Sequence, residues 1–428
     1  MPGGALSLLF DLPSLRFALA LDVAGLPPDL RPILEARWPA RSPDAGGEAE
    51  ICGALAFEAV PGPVGLPPAE LVTAEVTWTG PAQAEVITNA AALSLDLSGD
   101  RVAGRGRVDA RRARGAIEAA IRAAAVLALA RRGVLVLHAS AVHRAGDGLV
   151  FLGASTAGKT TTARRLGREG LRRLADDMIA IDLASSPPTL HRLPFERAGR
   201  ALADLAAGVP EGPIACLGGA LVRKGAGAAA MAPLDDAPRV WAEAVITLPP
   251  APGDALLLLE RFARLCDVPL RALDAPPAGP LAPTVLPWIE SLRGRGSGKK
   301  VDALPPGAQA TRPGSPGGTM TETETETERD QKVIRVTRAP NVAWRVLDGA
   351  AVLVAPSSPT VQTLNPVGTL VWTLADGRTV PELVDAVVNE FEVERTEASL
   401  DVERFVLDLA AKGMLIASGA PGSARIGG

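Results

Sequence analysis

The chain has 428 residues, more than one hydrophobic core usually serves, so at least two domains are expected. Hydrophobic residues make up 47% and charged residues 21% of the sequence, which excludes an intrinsically disordered chain. The formal net charge of -4 argues against general binding to nucleic acid or to an anionic membrane, because both require concentrated lysine and arginine.

The cysteine pattern and the N-terminus predict a cytoplasmic protein. The three cysteines are Cys52, Cys216 and Cys266. They lie far apart, show no metal-ligand spacing and cannot form a complete disulfide set, which favours a reducing compartment. Residues 1–10 lack a basic region and a long apolar run, so no signal peptide is predicted. The most apolar stretch, residues 116–130, is interrupted by Arg122 and predicts a core helix.

The first half of the chain has the pattern of an α/β protein. Alternating residues in 71–78 and 85–97 predict strands, and a helix is predicted over residues 110–132. Residues 134–138 and 149–152 are short continuous apolar runs, which are typical of strands buried on both faces.

A glycine-containing loop follows the second of these runs. Gly153-Ala-Ser-Thr-Ala-Gly158-Lys159-Thr160 fits the P-loop pattern, with a buried strand before it and a helical segment after it. Lys159 is expected to reach the β- and γ-phosphates, and the Thr160 hydroxyl to ligate Mg²⁺. The alternative is a glycine-rich turn that binds nothing. The residues predicted to bind the nucleotide are Gly153, Ala154, Ser155, Thr156, Ala157, Gly158, Lys159, Thr160 and Thr161.

Two adjacent acids follow the P-loop by about sixteen residues. Asp176 and Asp177 have the chemistry to divide two roles, one holding Mg²⁺ and the other orienting or deprotonating an attacking hydroxyl. The alternative is a solvated acidic turn. Three further polar residues are predicted to lie at the surface: His143, Asp182 and His191.

The segment His138-Ala-Ser-Ala-Val142, the P-loop and the Asp176-Asp177 pair together resemble the catalytic domain of HPr kinase/phosphorylase and its related kinases. The resemblance covers residues 112–183 and implies an α/β P-loop kinase domain that uses ATP and Mg²⁺. It further implies that Asp176 is the general base for a Ser or Thr hydroxyl, that Asp177 and Thr160 lie near the metal, and that His138 and Lys159 are catalytic.

The sequence also departs from that family. Thr161 stands where the bacterial HPr enzymes carry an acid, and residues 196–199 match their Glu-x-Arg-Gly segment only in part. A kinase with a substrate other than HPr is therefore expected, and the same departures argue against the reverse phosphorylase reaction.

A change in composition divides the chain into two predicted folding parts joined by a linker. Residues 291–330 are rich in Gly, Pro, Ser and Thr-Glu repeats, which predicts a disordered linker between two independently folding parts. The predicted parts are an N-terminal β-rich region over residues 1–105, a catalytic domain over 106–290, the linker over 291–330 and a small domain over 331–418.

The small domain is predicted to be α+β. Three short strands are expected over residues 333–336, 344–347 and 351–354, the last two joined by an Asp348-Gly349 turn. Three helices follow. Their signals are Asn365-Pro366 at the start of the first, a Thr379 and Glu382 capping box in the second, and an apolar face with Val402, Phe405, Val406 and Leu409 in the third.

This domain resembles the PqqD-like family of winged-helix-like peptide-recognition domains. The resemblance rests on four segments, which are Leu364-Asn365-Pro366, Val371-Trp372, Asp376-Gly377-Arg378-Thr379 and Lys412-Gly413-Met414-Leu415. It implies binding of the leader peptide of a ribosomally made, modified peptide, in a groove between residues 360–363 and the third helix. The alternative is an unrelated winged-helix module, but four acids against two bases on the third helix disfavour DNA binding.

Together the two resemblances predict an ATP-dependent Ser/Thr kinase of a precursor peptide. A nucleotide-sensing adapter without phosphoryl transfer, and a kinase of another protein or of a small molecule, remain as alternatives. The predicted partner is a peptide or protein substrate, with no nucleic acid and no membrane, and the sequence is compatible with a homo-oligomer.

Overall fold

The computed structural model describes residues 5–12, 15–37, 50–65, 74–99, 101–193, 195, 213–251, 253–293, 334–356, 358 and 360–418. Most of the predicted linker and residues 196–199 lie outside these ranges. The chain divides into two compact units. The first comprises Met1–Gly296, Ala343–Asp348 and Val352–Thr363, and the second comprises Ser297–Val342, Gly349–Ala351 and Leu364–Gly428.

The first unit begins with a seven-stranded sheet in the order β1-β2-β3-β7-β6-β5-β4. Residues 85–97, predicted to be extended, form a hairpin of two strands. The elements are β1 (Ala5–Leu12), β2 (Leu15–Gly25), α1 (Leu30–Arg37), β3 (Glu50–Val60), β4 (Ala74–Trp78), β5 (Gln83–Thr88), β6 (Ala91–Asp96) and β7 (Val102–Asp109).

A long alanine-rich helix, α2 (Ala113–Arg131), packs against strands of this sheet. Alanine has the highest helix propensity, and the leucines, valine and isoleucines between the alanines give the helix a wide buried surface. The prediction of a core helix here is confirmed. No helix in the described ranges is long and apolar enough to cross a membrane.

The same unit contains a ten-stranded mixed sheet with the main order β11-β9-β10-β14-β13-β12-β8-β16, in which β17 pairs with β14 and β15. Strands β10, β14 and β17 run parallel, so their carboxyl ends share one edge, where α/β sheets bind ligands. The strands are β8 (Val134–Leu137), β9 (Ser140–Arg144), β10 (Asp147–Leu152), β11 (Arg172–Ala175), β12 (Ile179–Asp182), β13 (Thr189–Arg192), β14 (Ile214–Lys224), β15 (Ala230–Ala232), β16 (Val245–Ile246) and β17 (Leu270–Ala275). The helices are α3 (Lys159–Arg168), α4 (Ala237–Ala244), α5 (Ala255–Cys266) and α6 (Ala282–Arg293).

Three polar residues predicted at the surface are buried instead. His143, Asp182 and His191 are only 3%, 5% and 4% exposed. They lie on β9, β12 and β13, which all have a neighbouring strand on each side. Two of them are satisfied locally, because Asp182 accepts from the Ala184 amide at 2.8 Å and His191 Nε2 lies 2.9 Å from a threonine hydroxyl.

A three-stranded sheet after the linker consists of β19 (Ala343–Leu347), β20 (Ala350–Val354) and β21 (Gln362–Thr363). The predicted Asp348-Gly349 turn is confirmed, with φ of 47° and 81°. Positive φ at both positions is what a two-residue hairpin turn requires.

The apolar side chains of this sheet belong to the core of the first unit. Val352, Val354 and Val361 share one buried cluster with Trp241 and Phe262. The contact-based division therefore differs from the sequence-based boundary at residue 331, and a chain ending at residue 293 lacks part of this core.

The second unit combines a small sheet with three helices. The sheet order is β22-β18-β23, and β22 and β23 were not predicted from the sequence. Both predicted N-caps are confirmed, since Asn365 Oδ1 accepts from the Gly368 amide at 2.7 Å and Thr379 forms a capping box with Glu382. The elements are β18 (Arg335–Arg338), α7 (Pro366–Leu374), β22 (Asp376–Thr379), α8 (Val380–Phe391), α9 (Arg395–Ala411) and β23 (Leu415–Ser418).

The shared core predicts that a substitution after the linker destabilises the first unit. Val352→Ala should lower the free energy of unfolding by about 2 kcal/mol, because Val352 is fully buried. Val346→Ala, on the same hairpin but 43% exposed, should change it by less than about 0.5 kcal/mol. Denaturant unfolding of both variants measures the difference. Equal, small effects would contradict a hairpin built into this core.

Candidate active site

The loop between β10 and α3, where the sequence predicts a phosphate-binding turn, contains two glycines with positive φ. Gly153 has φ of 133°, and a Cβ there would lie 3.2 Å from the Val222 carbonyl oxygen. Gly158, the N-cap of α3, has φ of 99°. Both positions therefore strongly favour glycine, and the loop delivers the chain directly into the N-terminus of α3, which attracts anions.

Lys159 lies inside this loop. Its side chain is 6% exposed, and Nζ donates to the carbonyl oxygens of Gly153 at 2.7 Å and Ala154 at 3.2 Å. Burial lowers the pKa of Lys159, and the nearby negative charge of Asp177 opposes that shift. The amine and the loop amides together suit a phosphate group.

The Thr160 hydroxyl is fixed at the start of α3. It donates to the Asp176 carbonyl oxygen at 3.2 Å and lies 3.5 Å from the Ser140 hydroxyl. No three His, Cys, Asp or Glu side chains cluster as a metal site within the described ranges. The predicted metal residues, Thr160 and Asp177, nevertheless offer the oxygen ligands that Mg²⁺ prefers, and Mg²⁺ usually takes few protein ligands beside phosphate oxygens.

The two adjacent aspartates have different surroundings. The Asp176 side chain is 6% exposed, and its Oδ2 accepts from Arg173 Nη2 at 2.7 Å. The Asp177 side chain is 31% exposed, with Oδ1 3.4 Å from His138 Nε2 and Oδ2 4.0 Å from Arg122 Nη1. Asp177 is therefore the more accessible carboxylate of the pair.

The segment that carries His138 holds the backbone of both aspartates. The Ala139 amide donates to the Asp177 carbonyl oxygen at 3.1 Å, and the Ser140 hydroxyl donates to that of Asp176 at 2.7 Å. The His138 amide donates to the Ala244 carbonyl oxygen at 2.7 Å. The predicted site residues His138, Lys159, Thr160, Asp176 and Asp177 are thereby brought together, while their catalytic roles stay predictions.

Sequence reasoning missed three residues of this site. Ser140 ties the Asp176 backbone to β9, Arg173 pairs with the Asp176 side chain, and Arg122 approaches Asp177. Arg122 was visible in the sequence as a charge within an apolar helix, whereas nothing in the sequence distinguishes Arg173 from the neighbouring arginines.

The cysteines described on the second sheet and α5 do not add to this chemistry. Cys216 and Cys266 are free, and burial raises the pKa of each thiol to about 12. Both therefore stay protonated at neutral pH, and neither is a reactive thiolate.

The elements predicted to wall a peptide groove belong to different units. Gln362–Thr363 is an edge strand of the three-stranded sheet β19-β20-β21 and belongs to the first unit, whereas α9 lies in the second unit. On α9, Leu400 and Leu407 are 66% and 62% exposed, and their spacing puts them on one face of the helix. The groove itself stays a prediction.

Comparison with known families decides the nature of the C-terminal part. The family model PqqD, described as coenzyme PQQ synthesis protein D, matches residues 350–415. The chain carries a C-terminal PqqD domain. A solved structure described as "TbiB1 in Complex with the TbiA(beta) Leader Peptide" is 29% identical and covers 20% of this chain and 98% of that chain, with a TM-score of 0.18. No curated protein matches the chain.

Proposed function

We propose that the chain is an ATP-dependent kinase that phosphorylates a Ser or Thr hydroxyl of a precursor peptide. The observation that carries the proposal is the loop closed around the Lys159 amine, beside the partly exposed Asp177 carboxylate, whose negative charge opposes the lowering of the Lys159 pKa by burial. A phosphate-binding loop beside an accessible carboxylate supplies the two groups that phosphoryl transfer to a hydroxyl requires.

The P-loop residues would hold the nucleotide. Residues 153–161 offer backbone amides to the phosphates, and Lys159 Nζ exchanges its contacts with the Gly153 and Ala154 carbonyls for phosphate oxygens. Thr160 would hold Mg²⁺, which supplies charge neutralisation on the phosphates when bound. These contacts position the γ-phosphoryl group without a covalent step on the protein.

Asp177 is the group that we assign to the acceptor hydroxyl. The hydroxyl oxygen attacks the γ-phosphorus, the bond from that phosphorus to the bridging oxygen breaks to release ADP, and the hydroxyl proton passes to a carboxylate. The resemblance to HPr kinase/phosphorylase implies this role for Asp176, but Arg173 engages that buried carboxylate. The Asp177 side chain is more exposed, and His138 lies beside its Oδ1, where it helps to orient the carboxylate.

The PqqD domain supports a peptide as the substrate. Resemblance to that family implies leader-peptide recognition, and the exposed Leu400 and Leu407 on α9 offer apolar contacts of the kind that peptides use. Carrying the recognition domain on the kinase chain raises the local concentration of the bound peptide. The cytoplasm is the proposed location, because the cysteine pattern fits a reducing compartment.

Leader dependence tests this proposal. The chain should transfer the γ-phosphoryl group of ATP to a full-length precursor peptide encoded beside its gene at least about tenfold faster than to the same peptide without its leader. Free leader peptide added in excess should slow only the first reaction. Nucleotide binding without transfer to either peptide would favour the adapter, and equal rates would favour a kinase whose PqqD domain serves another partner.

A further inference from the structure

Arg122 interrupts the apolar surface of α2. It is the only charged residue between Glu118 and Arg131, and its neighbours Ile121, Ala123 and Ala124 are buried. A charge at such a position disrupts an apolar surface unless its head group reaches a polar environment. The side chain is 31% exposed, so it does reach one, and that environment is the candidate active site.

Two contacts define where the guanidinium lies. Its Nη1 is 4.0 Å from Asp177 Oδ2, and its Cζ lies 5.7 Å from the centroid of the Phe195 ring. Phe195 is 2% exposed and belongs to the same buried cluster as the apolar residues of α2. The aromatic face therefore restrains the planar guanidinium, and the guanidinium in turn approaches one oxygen of Asp177.

The Asp177 carboxylate thus lies between two nitrogen groups. His138 Nε2 approaches Oδ1 and Arg122 Nη1 approaches Oδ2, while the Ala139 amide holds the backbone carbonyl of the same residue. A stability role explains this arrangement poorly, because an ion pair at 4.0 Å between two side chains that are each 31% exposed contributes little. Fixing the carboxylate in one orientation is a benefit that does not depend on stability.

We propose that Arg122 is a positioning residue for phosphoryl transfer, which acts by holding the Asp177 carboxylate towards the acceptor hydroxyl. The proposal rests on the kinase function above. Arg122 does not touch the reacting atoms in this assignment, and its effect passes entirely through Asp177.

Kinetics of the full chain with ATP and the full-length precursor peptide test this role. Arg122→Met should lower kcat about 10- to 100-fold and leave the KM for ATP within about twofold. Arg122→Lys should recover only part of the loss, because an ammonium keeps the charge without the planar fork. Arg114→Met, at a half-exposed arginine of the same helix, is the matched control and should behave like the wild type. An unchanged kcat in Arg122→Met would overturn the proposal.

A double-mutant cycle shows whether the effect passes through Asp177. In the Asp177→Asn background, Arg122→Met should change kcat by less than about twofold. If Arg122→Met lowers kcat in the Asp177→Asn background as much as it does in the wild type, then Arg122 does not act through Asp177 and has an independent role.

A second measurement does not depend on phosphoryl transfer. The chain has three histidines, so the ring ¹H–¹⁵N signals of His138 can be followed individually at fixed pH. Arg122→Met should shift the His138 signals in the wild-type background but not in Asp177→Asn, with those of His143 and His191 unchanged. If the wild type transfers no phosphate, the kinase proposal fails, but the His138 signals still show whether Arg122 controls the contact between Asp177 and His138. Unshifted His138 signals in Arg122→Met would overturn the positioning role of Arg122.

Discussion

Lys159→Ala should abolish phosphoryl transfer and leave the protein folded. Lys159 Nζ is the cation inside the P-loop, and loss of one preorganised electrostatic contact of this kind typically lowers the rate by about 10²- to 10³-fold or more. Folding should depend far less on it, because the amine donates to only two loop carbonyl oxygens. ATP affinity, phosphoryl transfer and circular dichroism of the same preparation measure the three consequences.

Arg239→Ala is the matched control for that variant. Arg239 is exposed on α4 and pairs with Glu243 one helical turn away, so its removal should leave transfer and ATP affinity unchanged. Wild-type transfer by Lys159→Ala would contradict the assignment of residues 153–160 as the phosphate-binding loop.

The adjacent aspartates should respond differently to the same substitution. Asp177→Asn should lower kcat by about 10²- to 10⁴-fold, because the amide cannot accept the hydroxyl proton at neutral pH. Its stability should change by less than about 0.5 kcal/mol, because the side chain is 31% exposed. Asp176→Asn should instead destabilise the protein by about 1–3 kcal/mol, because it removes the charge partner of Arg173 from a site that is 6% exposed.

Denaturant unfolding and single-turnover transfer, each measured on both variants, separate the two roles. Asp176→Asn is itself the control for Asp177→Asn, since the sites are adjacent and the substitution is identical. A stable, inactive Asp176→Asn beside an active Asp177→Asn would return the base role to Asp176, as the resemblance to HPr kinase/phosphorylase implies.

Features that depend on a few neighbouring residues could be predicted from the sequence. The loop over residues 153–158 requires glycine at two positions of positive φ between a strand and a helix, and the Asp348-Gly349 turn requires positive φ at both of its residues. The capping box of α8 depends only on Thr379 and Glu382. Such signals act within a few residues and do not depend on tertiary contacts.

The contacts and burial that the sequence did not predict depend on which strands become neighbours in the sheets. Ser140 reaches the Asp176 backbone only because β9 pairs with β11, and a sequence spacing of 36 residues carries no sign of that pairing. His143 was misassigned to the surface for the same reason, since a central strand hides a polar residue that an edge strand would expose. The place of Val352 and Val361 in the core with Trp241 depends equally on tertiary contacts.

The central claim is that this chain couples a P-loop phosphotransfer site to peptide recognition. The intact mass of the full-length precursor peptide, after incubation with the chain, ATP and Mg²⁺, tests it most directly. We predict the addition of one phosphoryl group on a Ser or Thr outside the leader, dependent on Lys159. An unmodified precursor, in the presence of a chain that binds both ATP and the leader peptide, would contradict the claim and leave the nucleotide-sensing adapter.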